Sequence, residues 1–277
     1  MPRDGDDIRR DLDNVVPWTP PDDDAPEPPP PTGDAVDGEQ APLQATPLGD
    51  LEITSIPPRR WILGHRYLRE NLTCTIAPGG VGKSTLTLQE AVAIVTGHEL
   101  TGMPVYETGP VWVFNGDDPA DELKRRIGAI CQGFGVDVSE LRDQLFLDTG
   151  AARPLIVARE IEGAVMATPD VPAIKAEIQR HGISTLIVDP FIKAHAVNEN
   201  ANEALDFVAR KFSEIAWETG CAINLVHHTR KPPGASSEGM AGNADSGRGA
   251  SALKDAVRIA STLFGMTEKE ADKYGVD

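Results

Sequence analysis

The sequence predicts an α/β fold: a mostly parallel sheet with helices on both faces, preceded by a disordered tail. Three observations carry that expectation. From Ile53 onward, apolar runs of strand length alternate with stretches of helical period. The runs are continuously apolar, as strands covered on both faces must be. The first long run also leads through a glycine-rich turn directly into a helix, over "APGGVGKSTL" at 77–86.

The chain opens with a segment of a different character. Residues 1–50 carry 13 Asp or Glu against Arg3, Arg9 and Arg10, so they hold −10 of the chain's formal charge of −17. They also hold 11 of its 23 prolines, including "PEPPPPTG", with Trp18 and a patch from Leu43 to Leu48 as the main apolar features. Such a composition cannot bury enough surface to offset chain entropy, so the expected division is a disordered acidic tail over 1–50 and one folded domain over 51–277. The remaining charge of −7 is spread over 227 residues and does not exclude a nucleic-acid partner.

Along the folded part, "LTCTIA" (72–77) reads as a buried strand. Residues 84–96 read as a helix with Leu88, Ala91, Val92 and Val95 on one face and Gly97 at its end. "GPVWVFN" (109–115) is a second strand, after which Asp118 is expected to cap a helix begun by Pro119. Further strands are expected at 144–150, 184–190 and 221–228, and further helices at 171–182 and about 201–219. Thr267, with Glu270 three residues on, marks a last capped helical turn. Cys74, Cys131 and Cys221 stand singly, with no paired spacing for zinc or a disulfide framework, which fits a reducing cytosol. No run of about 18 uncharged apolar residues offers a membrane span, and the first residues lack the apolar core of a signal peptide.

The glycine-rich turn carries the chemistry. Backbone amides from Pro78 through Gly79, Gly80, Val81 and Gly82 can curl around an anion at the positive end of the following helix. Lys83 can then reach the β and γ phosphates of ATP, with Ser84 on Mg²⁺ and Thr85 beside it. The usual pattern begins with glycine where this chain has Ala77, so the first turn is expected to manage without that freedom. Asp189, closing the strand "TLIVDP", supplies a carboxylate at the sheet's carboxyl edge as the second metal-side acid. In "FNGDDP", Asp117 is the candidate to polarise the attacking water. Of His227 and His228, strand alternation lets only one face the phosphates and sense the γ-phosphate, while the other packs.

With these parts in order, residues 50–277 resemble the RepA-like branch of the RecA-type ATPases, a family of hexameric replicative DNA helicases. The resemblance rests on "APGGVGKSTL", "VWVFNGDDPADELKRR", "LIVDP", "LVHHTRK" and "SGRGASALKDAVR". It implies ATP and Mg²⁺ as cofactors, the phosphate and metal roles given above for Lys83, Ser84, Thr85 and Asp189, and a sensor at His227 or His228. Where that family usually has Glu, this chain has the shorter Asp117. The resemblance further implies an arginine finger delivered to a neighbouring subunit by Arg258, with Arg248 as the competing candidate. The glycine-rich stretch 230–249 would be a mobile loop facing the ring's channel, where Arg230, Lys231 and Arg248 would touch phosphates of single-stranded DNA. Relatives usually continue through further strands, so the sheet is expected to be short at one edge or the chain to be a fragment. The expected protein is a cytoplasmic ring-forming motor, probed against two rivals: an ATP-binding scaffold or regulator with weak hydrolysis, and, ranked last, a small-molecule kinase.

Overall fold

The computed structural model describes residues 45, 47–49, 52–229, 250–266 and 268–276. The chain divides into two units, Met1–Ser55 and Ile56–Asp277. In the first, the described residues form one short 3-10 turn, Ile53–Ser55. The second holds the sheet and its helices.

The second unit begins with a small antiparallel hairpin, β1 (Trp61–Leu63) and β2 (Tyr67–Leu68). β3 (Leu72–Pro78) is buried along its whole length, and α1 (Lys83–Thr96) follows it across the glycine-rich turn. Next come β4 (Val111–Asn115), α2 (Ala120–Phe134) and β5 (Leu145–Thr149). A second hairpin, β6 (Ala158–Ile161) with β7 (Ala164–Ala167), leads into α3 (Asp170–His181) and β8 (Thr185–Asp189). The chain continues through α4 (Asn202–Thr219), β9 (Ala222–Thr229), α5 (Ala250–Ala256), β10 (Ile259–Thr262) and α6 (Glu268–Tyr274).

Among the described residues the main sheet has the order β10-β3-β9-β8-β4-β5, and every neighbouring pair is parallel. This is the α/β architecture that the apolar runs predict. Strand alternation sorts the core into two layers. Val111, Val113, Ile187, Ala222 and Val226 face α1 and α2 through Leu88, Val92, Leu123 and Ile127. Trp112, Phe114, Leu186, Val188, Ile223 and Leu225 face the other way, toward α3, α4 and α5 through Ile174, Ile178, Phe212 and Leu253. Because both faces are covered, Val111–Phe114 of β4 and Leu186–Val188 of β8 are apolar without alternation, while β3 and β9 turn Thr73, Thr75 and Asn224 toward α1, buried and hydrogen-bonded to one another.

The hairpins and β10 have no counterpart among the expected elements. Strands of two to four residues are too short to display a period. The start of α2 also differs from expectation. Pro119 occupies the N-cap position with no side-chain cap, and Asp118 instead pairs with Arg126 at 3.0 Å. The loop before the helix is fixed from the strand side: Asn115 Oδ1 accepts from the N–H groups of Asp117 and Asp118 at 2.9 and 2.7 Å. Position 77 likewise lies outside any turn. Ala77 is an extended, fully buried residue of β3 paired with His228, so a glycine there has no task. Among the described residues, no helix is long and apolar enough to cross a membrane.

Candidate nucleotide site

β3 and α1 are joined by a turn in which Gly80 and Gly82 have φ of 79° and 90°. Those angles lie in the left-handed region, which a side chain with a Cβ resists, so glycine is required at both positions. The turn brings Lys83 to the first position of α1, where the residue is 4% exposed. Its ammonium donates to the backbone oxygens of Ala77 at 3.0 Å and Pro78 at 2.5 Å, so the charge is held inside the turn. Burial pulls the Lys83 ammonium below its ordinary value, and the Asp189 carboxylate acts against that shift. Gly79, Val81, Ser84 and Thr85 complete the same turn and helix start, with Ser84 half-buried and Thr85 exposed.

Asp189 ends β8 at the carboxyl rim, 3% exposed. Alternation puts it on the α1 face of the sheet, because Ile187, two residues earlier, belongs to the α1 and α2 layer. Its Oδ2 is buried and has no hydrogen-bond partner. A charged oxygen left without a donor in that position is costly unless a cation meets it, which fits Asp189, with the Ser84 hydroxyl, as the residues that would hold a magnesium ion.

The same alternation separates the two histidines. Val226 faces α1, so His228 does too, and its Nε2 stands 3.9 Å from Asp189 Oδ1. His227 lies on the opposite face, 8% exposed, edge-on to Phe191 at 6.2 Å. Of the pair, His228 shares the α1 side of the rim with Lys83 and Asp189.

On the neighbouring strand Asn115 is opposite Asp189 in register, buried, and on the same face. The loop it organises presents Asp117, whose Oδ1 lies 3.9 Å from Lys193 Nζ. Lys193 stands on the 3-10 turn Phe191–Ala194 that follows β8. Its Cβ packs so closely on the β4 loop that a carbon added at Gly116 would lie 2.5 Å from it. Asn115 and Lys193 are site residues that sequence patterning did not single out, because their importance comes from loops meeting across strands. The GD dipeptide after a strand was visible; the lysine arriving from 76 residues later was not.

Arg258 is placed elsewhere. Its N–H donates to Leu72 O at 2.8 Å, at the amino end of β3, whereas the phosphate turn follows the carboxyl end. Seven strand residues at ~3.3 Å each put these rims about 20 Å apart, so Arg258 does not join the cluster within one chain. Arg230, Lys231 and Arg248, the residues expected at DNA, lie outside the described residues.

A parallel sheet whose carboxyl rim gathers a glycine-rich turn, a buried lysine at a helix start and an orphaned carboxylate defines a P-loop nucleotide-binding protein. Residues 38–234 match a family model described as an AAA domain. The chain belongs to that family, which comprises P-loop ATPases of RecA-like fold. Arg258 lies beyond the matched residues.

Proposed function

We propose that this chain is an ATP-hydrolysing, Mg²⁺-requiring RecA-type motor of the RepA-like branch. It assembles as a ring, a hexamer by that resemblance, and translocates on single-stranded DNA during replication of a plasmid, phage or mobile element. The observation that carries the ATPase part is the gathering of Lys83, Asp189 and His228 on one face of the rim, with Asp189 Oδ2 lacking a protein donor. The helicase part is supported by the resemblance of the five quoted motifs to that branch.

In this reading the amides of Gly79–Gly82 and the Lys83 ammonium bind and orient the triphosphate. Magnesium held by Ser84 and Asp189 would neutralise charge on the phosphate oxygens. Asp117 accepts a hydrogen bond from the attacking water and aligns it, while His228 Nε2, which stands 3.9 Å from Asp189 Oδ1, donates to the γ-phosphate. Arg258, at the opposite rim, acts only on a neighbouring copy's triphosphate, so turnover depends on assembly.

A second reading, an ATP-binding scaffold that scarcely hydrolyses, is favoured by one observation. Asp117 is a carbon shorter than the usual Glu and has Lys193 beside it. Measuring ATP turnover with and without single-stranded DNA, together with native mass in ATP and magnesium, separates the two. The motor predicts DNA-stimulated turnover and a ring mass; a nucleotide-saturated monomer without turnover would establish the scaffold and overturn the motor.

A further inference from the structure

Beneath the phosphate turn lies a buried polar network that the reaction just described does not use. Glu90 stands on α1, seven residues after Lys83, so two helical turns place both on the face toward the sheet. It is fully buried, and burial pushes its carboxyl up while the Arg66 guanidinium pulls it back. Arg66 Nε meets Glu90 Oε1 at 2.5 Å, and the Tyr67 hydroxyl donates to Glu90 Oε2 at 2.7 Å. Tyr67 Oη in turn accepts from Asn224 Nδ2 at 3.2 Å. Asn224 Oδ1 accepts from the Thr75 hydroxyl at 3.2 Å, and Thr75 Oγ1 accepts from Arg66 Nη2 at 3.1 Å.

The three main elements tied together here each end in part of the site. α1 begins with Lys83, β3 runs into the phosphate turn, and β9 carries His228 four residues beyond Asn224 on the same face. Stability alone does not call for such a network. A buried ion pair seldom outperforms apolar side chains of equal volume, because desolvation consumes most of the attraction. Directional hydrogen bonds do what apolar contact cannot: they stop a helix from sliding along the strands beneath it. A displacement of about 1 Å at reacting groups can cost on the order of 100-fold in rate.

We propose that the Glu90–Arg66–Tyr67–Asn224 network is a positioning device for the nucleotide reaction, holding the helix that carries Lys83 in register with the strand that carries His228. The proposal rests on the ATPase reading. It is tested by replacing the charged pair with apolar residues, Arg66→Met with Glu90→Leu, in the full chain. The expected result is a melting temperature near that of the unmodified protein, a KM for ATP within about threefold, and kcat lower by about tenfold. In that background His228→Ala should cost less than about twofold further, since the alignment it depends on is already lost. Tyr67→Phe, which removes only the hydroxyl joining Glu90 to Asn224, should lower kcat in the same direction, and it decides the matter if the double variant does not fold. Unchanged kcat in a folded variant, or a full additional loss from His228→Ala, would overturn the network's role alone. No turnover by the unmodified protein would overturn the ATPase reading and this one with it.

Discussion

At the carboxyl rim, β9 carries neighbouring histidines into opposite surroundings. His228 faces α1, 42% exposed at its side chain, next to Asp189 and in the layer anchored by Lys83. His227 faces the other layer, buried against Phe191, with His195 close by on the turn after β8. One face of the rim is thus polar and charged. The other is an aromatic and imidazole cluster closed off from solvent. A single strand serves both because side chains alternate, and the contrast teaches that adjacent residues at a rim can differ wholly in setting: packing against an aromatic ring for the first, a charged and solvent-reached surface for the second.

The largest expected effect that sharpens this contrast lies on the buried face. His195 is 6% exposed and packs on Phe191 with centroids 4.9 Å apart and the rings tilted by 58°. Burial, reinforced by His227, pulls its imidazole down from 6.5 to about 4. The folded protein therefore favours the neutral ring, while the unfolded chain takes up a proton as pH falls below 6.5. The stabilisation is complete above that pH and is lost on acidification toward about 4, a change of about 3 kcal/mol. Denaturant unfolding followed from pH 7 to pH 4 should show that loss, and His195→Leu should flatten the same window. Parallel curves for the two proteins would show that His195 is not buried as described.

A smaller effect is expected on the polar face. His228→Ala should reduce kcat for ATP by about tenfold, roughly 1.4 kcal/mol, while leaving the melting temperature unchanged. The reciprocal change, His227→Ala, should do the opposite. It should lower stability by about 1–3 kcal/mol and alter turnover per folded molecule by less than about twofold. Equal effects of the two substitutions on kcat would erase the distinction between the faces.

Much of the sheet is legible in the sequence because its strands are buried on both sides. "LTCTIA", "VWVFN" and "TLIVD" are apolar runs of strand length, and each sits where those runs place it. The phosphate turn is legible for a related reason: glycines, lysine and hydroxyls must be adjacent in the chain to surround one anion. Alternation alone does not decide which histidine shares a face with Lys83 and Asp189, since that needs the face of α1 as a reference. Glu90 was illegible because a charged residue on a helix reads as solvent-facing until Arg66 and Tyr67 arrive from another element. Lys193 and Asn115 acquire their meaning only when the loops after β4 and β8 come together. The rim on which Arg258 lies follows from β10 pairing with β3, a four-residue contact that no sequence period announces.

The central claim is that the amides of Gly79–Gly82 and the Lys83 ammonium hold a triphosphate at this rim. Its most direct test is equilibrium titration of the full chain with a labelled non-hydrolysable ATP analogue in magnesium, beside Lys83→Ala. Saturable uptake of one nucleotide per chain, weakened at least about tenfold by the substitution, is the predicted result. Absence of saturation, or equal affinity in both proteins, would contradict it.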